Sequence, residues 1–137
     1  MTKAIQILSK NLTGKENILI KETNSQTIKI LDSYLFSQNI KNANFNKISS
    51  ILTNKVSQIA LTNNNYEKIL SNYGNFNWVI EIKFLPGVTD NIANTATEMI
   101  GENIKNYKNN FKVGSSKIFL IRGNKKIAAQ IAKKESN

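Results

Sequence analysis

The sequence predicts an α+β domain, a sheet backed by amphipathic helices, and three observations predict it. Apolar residues alternate along residues 78–85, with Trp78, Ile80, Ile82 and Phe84 on one side and Val79, Glu81, Lys83 and Leu85 on the other. That is the period of an extended strand. Two longer segments, 47–61 and 91–107, carry apolar residues at helical spacing instead. The breaks between them fall at turn-forming residues, most clearly Pro86-Gly87, where proline fixes φ and glycine accepts φ > 0.

In chain order, residues 3–9 alternate about Ile5 and Ile7 and read as a strand. Residues 10–16 read as a loop around Gly14. The apolar runs 17–21 and 27–31, separated by the turn-like TNSQ at 23–26, read as a hairpin, with residues 31–36 open to a helical reading. Residues 39–46 are asparagine-rich and read as loop. Asn46 is then the expected cap of a helix over 47–61, whose apolar face holds Ile48, Ile51, Leu52, Val56, Ile59 and Ala60. Polar residues 62–65 end it or cap a short helix over 66–70, and Tyr73-Gly74-Asn75 reads as a turn. After the strand at 78–85, Thr89 and Asp90 are placed to cap the helix over 91–107, with Ile92, Ala96, Met99, Ile100 and Ile104 on its buried stripe. A turn at Gly114-Ser115-Ser116 leads to a strand over 117–121, a second turn at Gly123-Asn124, and a last helix over 125–134. From residue 78 onward the pattern is most of a split βαβ unit, so the expected class is ferredoxin-like, with a further strand needed to complete it.

A chain of 137 residues at 40% hydrophobic composition fits one domain, or two small halves, 1–75 and 76–137, sharing a core. No apolar run approaches the roughly 20 residues of a membrane span, and the N-terminus lacks a signal-peptide core. A cytoplasmic location is the expectation. Without cysteine or histidine there is no thiolate chemistry, no disulfide and neither of the commonest general-base and metal-ligand side chains. The net charge is +10, yet Arg122 is the one arginine among 19 basic residues and there are 22 asparagines. Lysine spread along the whole chain, with asparagine and isoleucine in excess, is the composition of an AT-rich coding sequence at unconstrained positions. Recognition of phosphate or guanine would favour arginine. Nucleic acid is therefore not the expected partner.

The string FLPGVTDNIANTATEMI, preceded by WVIEI, together with VGSSKIFLI at 113–121 and IAAQIAKKESN at the end, resembles the N-terminal region of phosphoribosylformylglycinamidine synthase, the part of the single-chain enzyme that corresponds to the free-standing small subunit (PurS). The resemblance is best over residues 76–134; the first 70 residues match in general pattern only. It implies a PurS-like fold, two degenerate halves packed as a pseudo-dimer, acting as a non-catalytic structural and assembly domain in purine biosynthesis. It also implies partners, the synthase and glutaminase domains or subunits, with ATP and magnesium bound by the synthase portion and no cofactor, metal or catalytic residue in this chain. Neither GxxxxGK[ST] nor GxGxxG occurs, in keeping with a chain that is silent alone. The family motif turn, Leu85, Pro86, Gly87, Val88, Thr89, Asp90 and Asn91, is the candidate partner contact, and a plain strand-to-helix turn explains the same residues. Phe76, Trp78 and Phe84 read as one buried sheet face rather than a base-stacking platform. Glu81 and Glu98 fall on different elements and do not read as a catalytic pair. Lys125, Lys126, Lys133 and Lys134 read as a solvated or partner-facing helix surface. Homo-oligomerisation through a sheet edge is left open, and the alternative function is a small basic α+β nucleic-acid-binding module.

Overall fold

The computed structural model describes residues 3–36, 42–63, 65, 75–83, 90–104 and 113–136. In chain order they form β1 (Lys3–Ser9), α1 (Gly14–Thr23), β2 (Thr27–Phe36), α2 (Asn42–Leu52), β3 (Gln58–Thr62), β4 (Trp78–Lys83), α3 (Asn91–Asn103), β5 (Val113–Arg122) and α4 (Lys125–Glu135). The strands make one antiparallel sheet in the order β3-β1-β2-β5-β4. This is an α+β fold compatible with the ferredoxin-like class.

Several expectations are corrected. Residues 10–23 are not a loop leading into a hairpin strand. Thr13 accepts from Glu16 N–H while the Glu16 carboxylate accepts from Thr13 N–H, a reciprocal capping box that starts α1. Asn24, at φ 57°, ends it in the left-handed conformation that asparagine tolerates. Residues 31–36 continue β2 rather than opening a helix, because β2 pairs with β1 on one side and β5 on the other. The helix expected over 47–61 begins earlier and stops at Leu52. Asn42–Asn46 is helix rather than loop, Asn46 is not its cap, and Ile59, Ala60 and Leu61 belong to β3. There, pairing with β1 satisfies backbone groups that a helix would satisfy internally. Gly114, Ser115 and Ser116 lie within β5, not in a turn. The complete split unit is β2–α2–β3, with β1 between the two parallel strands; in the second half β4 and β5 are direct neighbours, and no described strand lies beyond β4. The expected helix at 66–70 and Tyr73-Gly74 lie outside the described residues.

One face of the sheet carries all four of the described helices. Ile5, Ile7, Tyr34 and Phe36 pack against Phe45 and Ile48 of α2 and Ile100 of α3. Ile28, Ile30, Phe119, Ile121, Trp78 and Ile80 pack against Leu19 of α1 and Ile127 and Ile131 of α4. The helices accordingly associate in two pairs, α2 with α3 and α1 with α4. The Lys15–Glu135 and Lys134–Glu22 ion pairs join the second pair. The opposite face is apolar at Leu8, Leu31, Leu61, Ile118 and Leu120. Phe76 packs there, not beside Trp78 as strict alternation predicts, because β4 begins only at Trp78. Among the described residues, no helix is long and apolar enough to cross a membrane.

Candidate functional site

The sequence directs attention to the end of β4 and the start of α3. Leu85, Pro86, Gly87, Val88 and Thr89 lie outside the described residues, as does Phe84; Asp90 and Asn91 do not. Asp90 is the N-cap of α3, as expected, with Oδ1 accepting from Ala93 N–H at 3.0 Å. The same carboxylate accepts from the Ser115 N–H at 2.8 Å and the Ser115 hydroxyl at 2.6 Å. It thereby ties the helix start to β5. Asp90→Ala removes the cap and both strand bonds together, and is expected to cost about 2 kcal/mol or more. Asp90→Asn should cost less, since an amide oxygen still caps the helix while its NH2 cannot accept from Ser115. Urea unfolding of the two variants checks the order, and equal losses would refute this division of roles.

Other singled-out residues take structural positions. Trp78 is half-buried against the α1–α4 cluster, and its indole N–H donates to the Gly123 carbonyl at 2.9 Å. Asn77 bonds both backbone groups of the same residue, donating to Gly123 O at 2.8 Å and accepting from Gly123 N–H at 3.0 Å. Glu81 accepts from the Ser116 hydroxyl at 2.6 Å and lies 3.8 Å from Lys83. Glu98 is exposed on α3, on a different element. Lys134 pairs with Glu22, whereas Lys125, Lys126 and Lys133 are exposed.

A second location was not legible as a site in the sequence. Beside the α2–α3 pair, the helix-covered face of the sheet opens into a cleft of about 360 Å³. Asp32 and Lys117 stand directly opposite each other on β2 and β5 at its floor. Lys117 Nζ donates to Asp32 Oδ1 at 3.0 Å, and both side chains are 41% exposed, although Phe119, the next residue of β5 on the same face, is buried. Tyr34 lies next to them, and Asn91, Ile92, Thr95, Ala96, Met99 and Leu52 form the walls. The signal in the sequence was phase. In TIKILDSYLF the alternation Ile28, Ile30, Tyr34, Phe36 is broken at Asp32, a charge in an inward-facing position.

Burial, followed by the charges of Asp32 and Asp90, pushes the Tyr34 phenol above its ordinary value of 10.0. A phenolate there would be poorly solvated and would face two carboxylates. The unfolded chain therefore loses this proton first, and the contribution to stability declines as pH rises from about 10 through the raised folded value. Alkaline ultraviolet titration, taken as the difference between the native chain and Tyr34→Phe, should show this late ionisation, and Asp32→Asn should bring it back toward 10.0. A Tyr34 midpoint at or below 10.0 in the folded chain would contradict this reading.

Among the described residues no group of three or more Asp, Glu, His or Cys side chains is placed to hold a metal ion. No protein-family model, curated protein or solved structure matches the chain.

Proposed function

We propose that this chain is a PurS-like assembly module of phosphoribosylformylglycinamidine synthase, two degenerate halves fused as a pseudo-dimer, without chemistry of its own. The observation that carries the reading is the junction of the halves. β1–α1–β2–α2 and β4–α3–β5–α4 follow the same order of elements, and they meet along β2 and β5, which pair antiparallel over all ten residues of each strand. A twofold rotation about the middle of that ladder exchanges β1 with β4 and the α1–α4 contact with the α3–α2 contact, as a fused dimer requires. β3 has no counterpart among the described residues of the second half.

In sequence the motif turn follows β4, an edge strand of the sheet, and Asp90 within it caps α3 and accepts from β5. That supports a turn whose work is to hold a strand and a helix in place for a partner. The partners are the synthase and glutaminase domains or subunits; ATP and magnesium belong to the synthase portion. Five lysines, Lys15, Lys29, Lys83, Lys117 and Lys134, face carboxylates of this same chain. That placement gives no support to the nucleic-acid-binding alternative, whose mark is affinity falling steeply with salt.

The test is a pull-down of the chain against the synthase and glutaminase of its own cell, with glutamine-dependent turnover assayed in its presence and absence. Association with a rise in turnover, and no ATP hydrolysis by the chain alone, is the expected result. Failure of the folded chain to associate, or turnover by it alone, would overturn the proposal.

A further inference from the structure

We propose that the cleft beside the α2–α3 pair binds a small zwitterion, an α-amino acid with an aliphatic side chain, across Asp32 and Lys117. The site shares Asn91 with the motif turn, but its charged floor lies on β2 and β5, and it does not depend on the assembly role.

The floor sets the chemistry. Asp32 and Lys117 present opposite charges 3.0 Å apart. Their mutual hydrogen bond uses one Lys117 proton and Asp32 Oδ1, leaving two ammonium protons and the second carboxylate oxygen. A simple anion drawn to Lys117 meets Asp32 at contact distance, and a simple cation meets Lys117. A ligand with an ammonium and a carboxylate on one carbon answers both charges at once. The Tyr34 hydroxyl, which has no hydrogen-bond partner among the described residues, and the exposed Asn91 and Thr95 supply further polar contacts. The walls from Ile92, Ala96, Met99 and Leu52 are apolar and suit an aliphatic side chain. At about 360 Å³, the cleft is near the small end of the roughly 300–1,000 Å³ range of ligand sites and excludes bulky cofactors.

The experiment titrates the intact protein with L-leucine, 4-methylpentanoate, which lacks the ammonium, and 3-methylbutylamine, which lacks the carboxylate, by amide NMR. L-Leucine should shift the resonances of residues 32–34, 92–96 and 117 saturably, and each analogue should bind at least about tenfold more weakly. Lys117→Met should weaken L-leucine by a similar factor, with the thermal midpoint measured alongside as the folding control. Comparison of the three ligands on the unaltered chain holds whatever the variant does. No shift at about 50 mM L-leucine, equal binding by either analogue, or shifts confined to another surface would overturn the assignment.

Discussion

Replacing Glu16 with alanine is expected to destabilise the fold by about 3–5 kcal/mol, the range for removing one partner of a buried ion pair. The Glu16 side chain is 0% exposed and joins three parts of the chain. One oxygen accepts from the Thr13 N–H at 2.8 Å and closes the capping box of α1. The other accepts from the Ile30 N–H at 2.8 Å, two residues beyond the last β1–β2 pair, Ile7 with Asp32. Lys29 Nζ lies 3.5 Å away, with its side chain 6% exposed. That ammonium also donates to the carbonyls of Ser9, at 2.8 Å, and Asn11, at 3.3 Å. Removing Glu16 takes the carboxylate from a buried cation and the acceptor from two backbone donors at once. Glu16→Gln should lose less, because its oxygen replaces one acceptor. The double variant Glu16→Leu/Lys29→Met should recover part of the loss, since an apolar pair needs no compensating charge. Chemical denaturation of the three proteins gives the ranking. An alanine variant within about 1 kcal/mol of the native chain would show that the pair is not the anchor described here.

Phe36→Ala should cost about 3–5 kcal/mol, through lost transfer free energy and the cavity left behind. Phe36 is fully buried at the end of β2 and meets Phe45 of α2 edge to face, with ring centroids 6.2 Å apart. It shares a cluster with Ile5, Ile48, Ile100 and Ile104, so the loss falls on contacts among β1, α2 and α3. Ile18→Ala, on the outer side of α1 and 56% exposed, should stay within about 0.5 kcal/mol. Thermal unfolding of both variants checks the contrast. A comparable loss at Ile18 would mean that its surface is covered in solution.

Local pattern alone located β1, β4, α3 and α4. In each the signal is periodicity with a neighbouring cap or break: Asp90 accepts from Ala93 N–H before α3, and Asn124 from Ile127 N–H before α4. The same local physics could have located α1, since Thr13 and Glu16 stand at capping-box spacing. Its apolar residues, Ile18, Leu19 and Ile20 among charges, have little helical periodicity, and the short run passed for a strand. Around residues 52–60 the apolar spacing fits a helix and a strand equally well. The choice was made by β1, whose edge takes up Gln58–Thr62 in antiparallel pairing.

The sequence by itself determined an α+β chain, the phase of its best strand, the cap of its clearest helix at Asp90, and the absence of cysteine and histidine chemistry. Each depends on neighbours within a few residues, where sterics and hydrogen-bond reach act directly. Only the tertiary structure decided the strand order, the pairing of β2 with β5 and the cleft above it. Asp32 and Lys117 are 85 residues apart along the chain and 3.0 Å apart in the fold. No local spacing encodes such a contact, because it exists only once two distant strands have chosen each other and the helices have left a gap above them.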